Sequence, residues 1–127
     1  MNRKLYRILT VEDNESIRKA LKKGLELEGF EVCAVDDGLK ALTSLKQPPL
    51  PDVILLDLLL PVMTGFEFLK EIKKDPTKPV AKIPILVVSA VANKSLEIKS
   101  QVQGIFEKPF DFDELVEAIR RFCPVLK

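Results

Sequence analysis

Residues 53–61 read Val-Ile-Leu-Leu-Asp-Leu-Leu-Leu-Pro, and their reading decides the fold. The unbroken apolar run Val53–Leu56 suits a strand buried on both faces, because a strand with one wet face alternates apolar and polar residues. Asp57 follows it directly and has a second apolar run, Leu58–Leu60, behind it. A carboxylate in that position does not belong to a casual surface loop.

Outward from this strand, short β-like runs alternate with amphipathic helices. On the N-terminal side, Tyr6–Val11 is expected as the first strand. Asn14 can cap a helix whose apolar face is Ile17, Ala20, Leu21 and Leu25, with Gly29 just past its end. Phe30–Val35 is the second strand, and Leu39, Ala41, Leu42 and Leu45 mark a second helix stopped by Pro48, Pro49 and Pro51. On the C-terminal side, Phe66, Leu69 and Ile72 mark a third helix ending before Pro76. Ile83–Val88 is the fourth strand, with Pro84 tolerated at its start, and Ile105–Glu107 the fifth. Asp111 and Glu114 form a capping-box pattern, with Phe110 and Leu115 placed as a staple. The last helix carries Leu115, Ile119 and Phe122 on one face. Only Leu96, Ile98 and Val102 are large and apolar between residues 93 and 103, which predicts a short or irregular fourth helix.

Strict alternation of strands and helices argues for a parallel sheet covered on both faces. With right-handed crossovers this is a doubly wound α/β domain, and the flavodoxin-like order 2-1-3-4-5 is the leading option for five strands. The first and third strands are then neighbours, and a ligand belongs off their C-terminal ends.

The 127 residues suit one domain, 1–127, and no output domain is expected in the chain. Hydrophobic residues make up 46% and charged residues 31%, a soluble globular mix that needs no disulfide or metal staple. The net charge of +1 gives no field favouring nucleic acid or membrane. No apolar run reaches the length of a span and no signal peptide opens the chain, so a cytoplasmic location is expected. Cys33 and Cys123 lack metal spacing and read as small residues in or near the core. The lysines at 70, 73, 74, 78 and 82 mix with Glu71 and Asp75 at a helix end and read as a solvated face. Histidine is absent. Chemistry must therefore use carboxylates, hydroxyls, lysine or a hard metal ion.

Such groups stand at the strand ends: Glu12 and Asp13 after the first, Asp57 after the third, Ser89 after the fourth, Lys108 after the fifth. Taken singly, Asp13 or Asn14 is a helix cap, Ser89 a turn hydroxyl and Lys108 a surface lysine. Together they face one crevice in the expected fold. Converging carboxylates repel by roughly 3 kcal/mol per pair at about 5 Å and an effective dielectric of about 20, so they call for a cation. Oxygen donors suit Mg²⁺, with Mn²⁺ possible. Lys108 and the Ser89 hydroxyl would complete a site for a tetrahedral anion, with one carboxylate able to act as nucleophile.

The pattern Val11-Glu12-Asp13-Asn14, Asp57-Leu58-Leu59-Leu60-Pro61 with Gly65 eight residues after the Asp, Val88-Ser89-Ala90 and Lys108-Pro109-Phe110 resembles the receiver domain of two-component response regulators over the whole chain. The resemblance implies that Asp57 is the phosphoacceptor and that Glu12, Asp13, Asp57 and the Leu59 backbone carbonyl serve the metal. It implies that Lys108 pairs with the acceptor and then with the phosphoryl group, that the Ser89 hydroxyl moves onto a phosphoryl oxygen, and that Lys108–Pro109 is cis. It further implies a phosphohistidine donor, which must be another protein: a sensor histidine kinase or a His-phosphotransfer protein. A downstream effector protein would receive the signal, with no direct nucleic-acid or membrane contact and no enzyme activity beyond self-phosphorylation and dephosphorylation. Where family members carry Tyr or Phe, three residues before the lysine, this chain has Ile105; Phe106 is expected on the opposite face.

A haloacid-dehalogenase-type phosphohydrolase would need a second Asp two residues after the first, and Leu59 stands there. A pseudo-receiver would not need the full acidic pocket with Lys108. A flavodoxin would not place Glu12-Asp13-Asn14-Glu15 against a phosphate.

Overall fold

The computed structural model describes residues 5–91 and 96–124. Five strands, β1 (Arg7–Val11), β2 (Glu31–Val35), β3 (Val53–Leu56), β4 (Ile85–Ser89) and β5 (Gly104–Glu107), alternate with α1 (Glu15–Leu27), α2 (Gly38–Ser44), α3 (Gly65–Lys73), α4 (Leu96–Lys99) and α5 (Phe112–Arg120). All strand pairs are parallel, in the order β2-β1-β3-β4-β5. The expected doubly wound topology is therefore the observed one.

Strand alternation divides the interior in two. Leu9, Val11, Ile54, Leu56, Ile85 and Val87 face α2 and α3, where Phe68, Leu69 and Ile72 meet them. Ile8, Val53, Leu55, Leu86 and Val88 face α1 and α5, against Leu21, Leu25, Leu115 and Ile119. Each such fully buried side chain contributes roughly 1.5–3 kcal/mol. Ile105 packs with the first cluster and Phe106 with the second, as alternation requires. Val11 pairs with Leu56 at the ends of β1 and β3, and the Asp57 N–H donates to the Val11 carbonyl at 3.1 Å. The residues that follow these two strands thus leave the sheet side by side.

Local signals explain most boundaries. The Asn14 side chain accepts from the Ile17 N–H at 2.9 Å and opens α1, and Gly29 at φ 96° closes it. Lys108–Pro109 is cis as expected, and Pro48–Pro49 is cis as well.

Several expectations need correction. The β4 ladder starts at Ile85, two residues late, because Pro84 has no N–H to give it. Phe68 is fully buried where Phe66 was expected, since the inward stripe of α3 runs Gly65, Phe68, Leu69, Ile72. Ala20 and Leu39 are exposed. Cys123 is buried, but Cys33 is exposed, because β2 is an edge strand that the helices cover incompletely. The reciprocal capping box forms at α3, between Thr64 and Glu67, while at α5 Asp111 caps the Glu114 N–H. A short 3₁₀ turn, Pro79–Lys82, was not anticipated. The described part of α4 is one turn, anchored by buried Ile98; residues 93–95 of the segment expected to be irregular lie outside the described residues.

Candidate functional site

The sheet brings Glu12, Asp57 and Ser89 to one place, and all three are buried although polar. Burying them without partners would be costly, and each has partners. The Asp57 Oδ1 accepts from the Ser89 hydroxyl at 2.8 Å and from the Leu59 N–H at 3.0 Å. Its Oδ2 accepts from Lys108 Nζ at 3.0 Å. Lys108 Nζ also donates to Glu12 Oε1, and the Asn14 N–H donates to Glu12 Oε2 at 3.0 Å. The Ser89 Oγ in turn accepts from the Val91 N–H at 3.3 Å.

Backbone packing fixes the position of Asp57. Gly65 opens α3 directly under Asp57: a methyl group there would overlap the Asp57 carbonyl oxygen and stand 2.6 Å from Leu58 Cα. The Gly65 N–H donates to the Leu58 carbonyl at 3.0 Å. Only a residue without a side chain lets the helix approach this closely. In the same loop Val62 takes φ 68°, a left-handed conformation that a β-branched residue rarely adopts.

Burial raises the Glu12 carboxyl above its usual range, and the Asp57 charge adds to this; Lys108 and the Asn14 N–H oppose it without cancelling it. Burial by itself would lower the Lys108 ammonium, but the hydrogen bonds and charges of Glu12 and Asp57 outweigh it and hold the group above its usual range. Lys108 is therefore the fixed cation of the cluster.

Carboxylate oxygens of Glu12, Asp13 and Asp57 lie within 4.8 Å of one another, Asp13 being the exposed one. Among the described residues, three carboxylates here face one ammonium, an excess of acid. All-oxygen donors with that excess fit a hard divalent cation.

The structure thus places Glu12, Asp13, Asp57, Ser89 and Lys108 together, and adds three groups that sequence reasoning missed. The Leu59 N–H donates to Asp57; this main-chain donor has no sequence signature. Thr64 and Glu67 fix the start of α3, and their T-x-x-E spacing was legible. Arg18 donates to the Glu12 and Asp13 carbonyls.

A family model described as the response regulator receiver domain matches residues 8–120. The chain is 34% identical over 120 residues to the regulatory protein AtoC of Escherichia coli, covering 92% of this chain and 25% of that protein. It spans between a quarter and about half of the length of the curated relatives it matches. Among solved structures it is similar to the response regulator TrrA of Thermotoga maritima in complex with Mg²⁺–BeF, at 30% identity and a TM-score of 0.80 over 93% of this chain and 99% of that one. It is also similar to the receiver domain of the sensor histidine kinase PA1611 of Pseudomonas aeruginosa, with a magnesium ion coordinated in the active-site cleft, at 27% identity and a TM-score of 0.77 over 96% and 100%. With its strand order, its acidic crevice and these matches, the chain belongs to the response regulator receiver domain family.

Proposed function

We propose that Asp57 accepts a phosphoryl group from a phosphohistidine on a partner protein, with Glu12, Asp13, Asp57 and the Leu59 carbonyl as the groups that would hold Mg²⁺ or Mn²⁺. The observation that carries this reading is the Asp57 carboxylate itself, 4% exposed and held by a hydroxyl, a main-chain N–H and an ammonium. A bound divalent ion would neutralise charge on the transferring phosphoryl oxygens.

The chain's own residues position and stabilise. Among the described residues Asp57 Oδ2 accepts from Lys108 alone, and so retains lone-pair capacity towards phosphorus. As its O–P bond forms, the donor's P–N bond breaks, and the imidazole nitrogen leaves with the electron pair and takes a proton from solvent. Lys108 then has phosphoryl oxygens within reach of the same ammonium. Ser89 must give up its bond to Oδ1 or carry it onto the phosphoryl group, and the second course moves the β4 end. That movement is the signal to an effector protein.

In this reading the chain acts as a single cytoplasmic receiver unit that catalyses only its own phosphorylation and dephosphorylation. No described helix is long and apolar enough to cross a membrane. A sensor histidine kinase or a His-phosphotransfer protein is the donor. Several curated relatives are named as DNA-binding regulators. We assign no such contact to the lysine-rich end of α3, where Lys74 pairs with Glu71 and Lys73 donates to the Ala81 carbonyl at 2.8 Å.

The test is titration with Mg²⁺ and beryllofluoride, an analogue of the phosphoryl group, followed by amide NMR. The Leu59, Ser89 and Val91 amides should shift together and saturate only when both components are present. Unchanged spectra would refute the reading.

A further inference from the structure

Arg18 stands in the first turns of α1, and no step above uses it. One nitrogen of its guanidinium, Nη1, donates to the Glu12 carbonyl at 3.0 Å and to the Asp13 carbonyl at 3.1 Å. These belong to the two residues whose carboxylates approach Asp57. We propose that Arg18 is a positioning residue for the divalent cation: it clamps the β1–α1 turn so that Glu12 and Asp13 present carboxylates to the ion while their main-chain oxygens face away. The inference rests on the metal-assisted reading above.

The two acids depend on the clamp unequally. The Glu12 carboxylate is already fixed by Lys108 and the Asn14 N–H. The Asp13 carboxylate is exposed, and no side-chain hydrogen bond holds it among the described residues. Its place is therefore set by the backbone that carries it. That backbone is tied before Asp13 by the Glu12 N–H, which donates to the Val35 carbonyl at 3.0 Å, after it by Asn14, whose carbonyl accepts from the Arg18 N–H at 2.8 Å, and at Asp13 itself by the Arg18 guanidinium. Losing the tie at its own carbonyl lets the Asp13 peptide rotate between those anchors, and an ion at the site would then meet its one exposed protein carboxylate less well aimed.

Charge works in the opposite sense, since a guanidinium near a cation site repels the cation. The surroundings reduce this. Arg18 lies among acids at the ends of β1 and β2. Asp36 is held below the usual carboxylate range first by its hydrogen bond to Lys40, with a contribution from the Arg18 charge. Glu15 is held low first by Lys19, again with Arg18 contributing. The positive charge is shared with these groups, whereas the two carbonyl bonds act only on the turn. Positioning therefore outweighs repulsion.

The experiment is Mg²⁺ titration of the full chain by calorimetry at fixed ionic strength, for the wild type, Arg18→Met and Arg18→Lys. Metal-free unfolding in urea is followed in parallel. Arg18→Met should bind Mg²⁺ about tenfold more weakly, the lower end of what loss of a group supporting a metal ligand costs. Arg18→Lys, which keeps the charge but carries its donor on a shorter, more flexible stem, should fall between. With acetyl phosphate as donor, both variants should recover the wild-type phosphorylation rate at saturating Mg²⁺. Lower stability with unchanged Mg²⁺ affinity would make Arg18 merely structural and overturn the inference. Tighter Mg²⁺ binding by Arg18→Met would overturn it too, by showing that repulsion dominates. If the wild type itself binds no Mg²⁺, the metal-assisted reading falls, and the inference with it.

Discussion

Replacing Lys108 by Met tests the electrostatics of the site without touching the fold's apolar core. In the wild type one ammonium, 15% exposed, serves two carboxylates that are 2% and 5% exposed. The variant would leave those two acids facing each other with oxygens within 4.8 Å. At an effective dielectric of about 20, that distance corresponds to about 3.5 kcal/mol of repulsion. Breaking a buried ion pair from one side costs about 3–5 kcal/mol. Folded domains hold about 5–15 kcal/mol, so the variant should fold with a large deficit. The deficit should also depend on pH. Burial already raises Glu12, and loss of Lys108, which now lowers it, must raise it further. An acid whose folded pKa lies above its unfolded value binds more protons when folded. Stability then falls as pH rises above the ordinary carboxyl value of 4.5 and returns as pH drops back to it. The assay is urea unfolding with EDTA at several pH values, then with Mg²⁺, which should restore more stability in the variant than in the wild type. A variant within about 0.5 kcal/mol of the wild type at pH 7, and flat down to about pH 5, would refute the reasoning.

Three further outcomes follow from particular residues. Gly65→Ala should cost about 1–3 kcal/mol in urea unfolding and slow phosphorylation, because the methyl group must push the Asp57 backbone aside. Val62→Asn should raise stability by about 1 kcal/mol, since Asn tolerates the left-handed φ of 68° that strains Val; an unchanged or lower midpoint counts against strain there. Leu59 and Val91, 52% and 41% exposed, stand two residues after Asp57 and Ser89 and carry side chains unable to orient a water. Leu59→Asn with Val91→Glu should speed loss of the phosphoryl group about tenfold at fixed Mg²⁺, followed by mass spectrometry over time; equal lifetimes would show that the two residues only pack.

The fold was legible because its strands are so uniformly apolar. The all-buried runs at β3 and β4 could be neither half-wet strands nor loops, and the four intervening segments, with the helix after β5, left one sensible layering. The site was legible because its residues stand at the C-terminal ends of those strands or just beyond, Ser89 as the last residue of β4, so placing the strands placed Glu12, Asp13, Asp57, Ser89 and Lys108. What escaped depends on geometry that residue types do not encode. The Leu59 N–H carries no side-chain signal. The choice of Phe68 over Phe66 follows from where α3 starts, which Thr64 and Glu67 set. Cys33 looked like a core residue because the strand pattern does not say which strand lies at the edge with a poorly covered face. Arg18 carries no sequence signal that sets it apart from the other cations of α1, and only its two carbonyl bonds distinguish it.

The most direct measurement of the central claim is intact-mass spectrometry after incubation with acetyl phosphate. With Mg²⁺ the wild type should gain one phosphoryl group; with EDTA it should gain none, and Asp57→Asn should gain none under either condition. A phosphoryl adduct on Asp57→Asn, or no adduct on the wild type with Mg²⁺ present, would contradict the assignment of Asp57 as the phosphoacceptor.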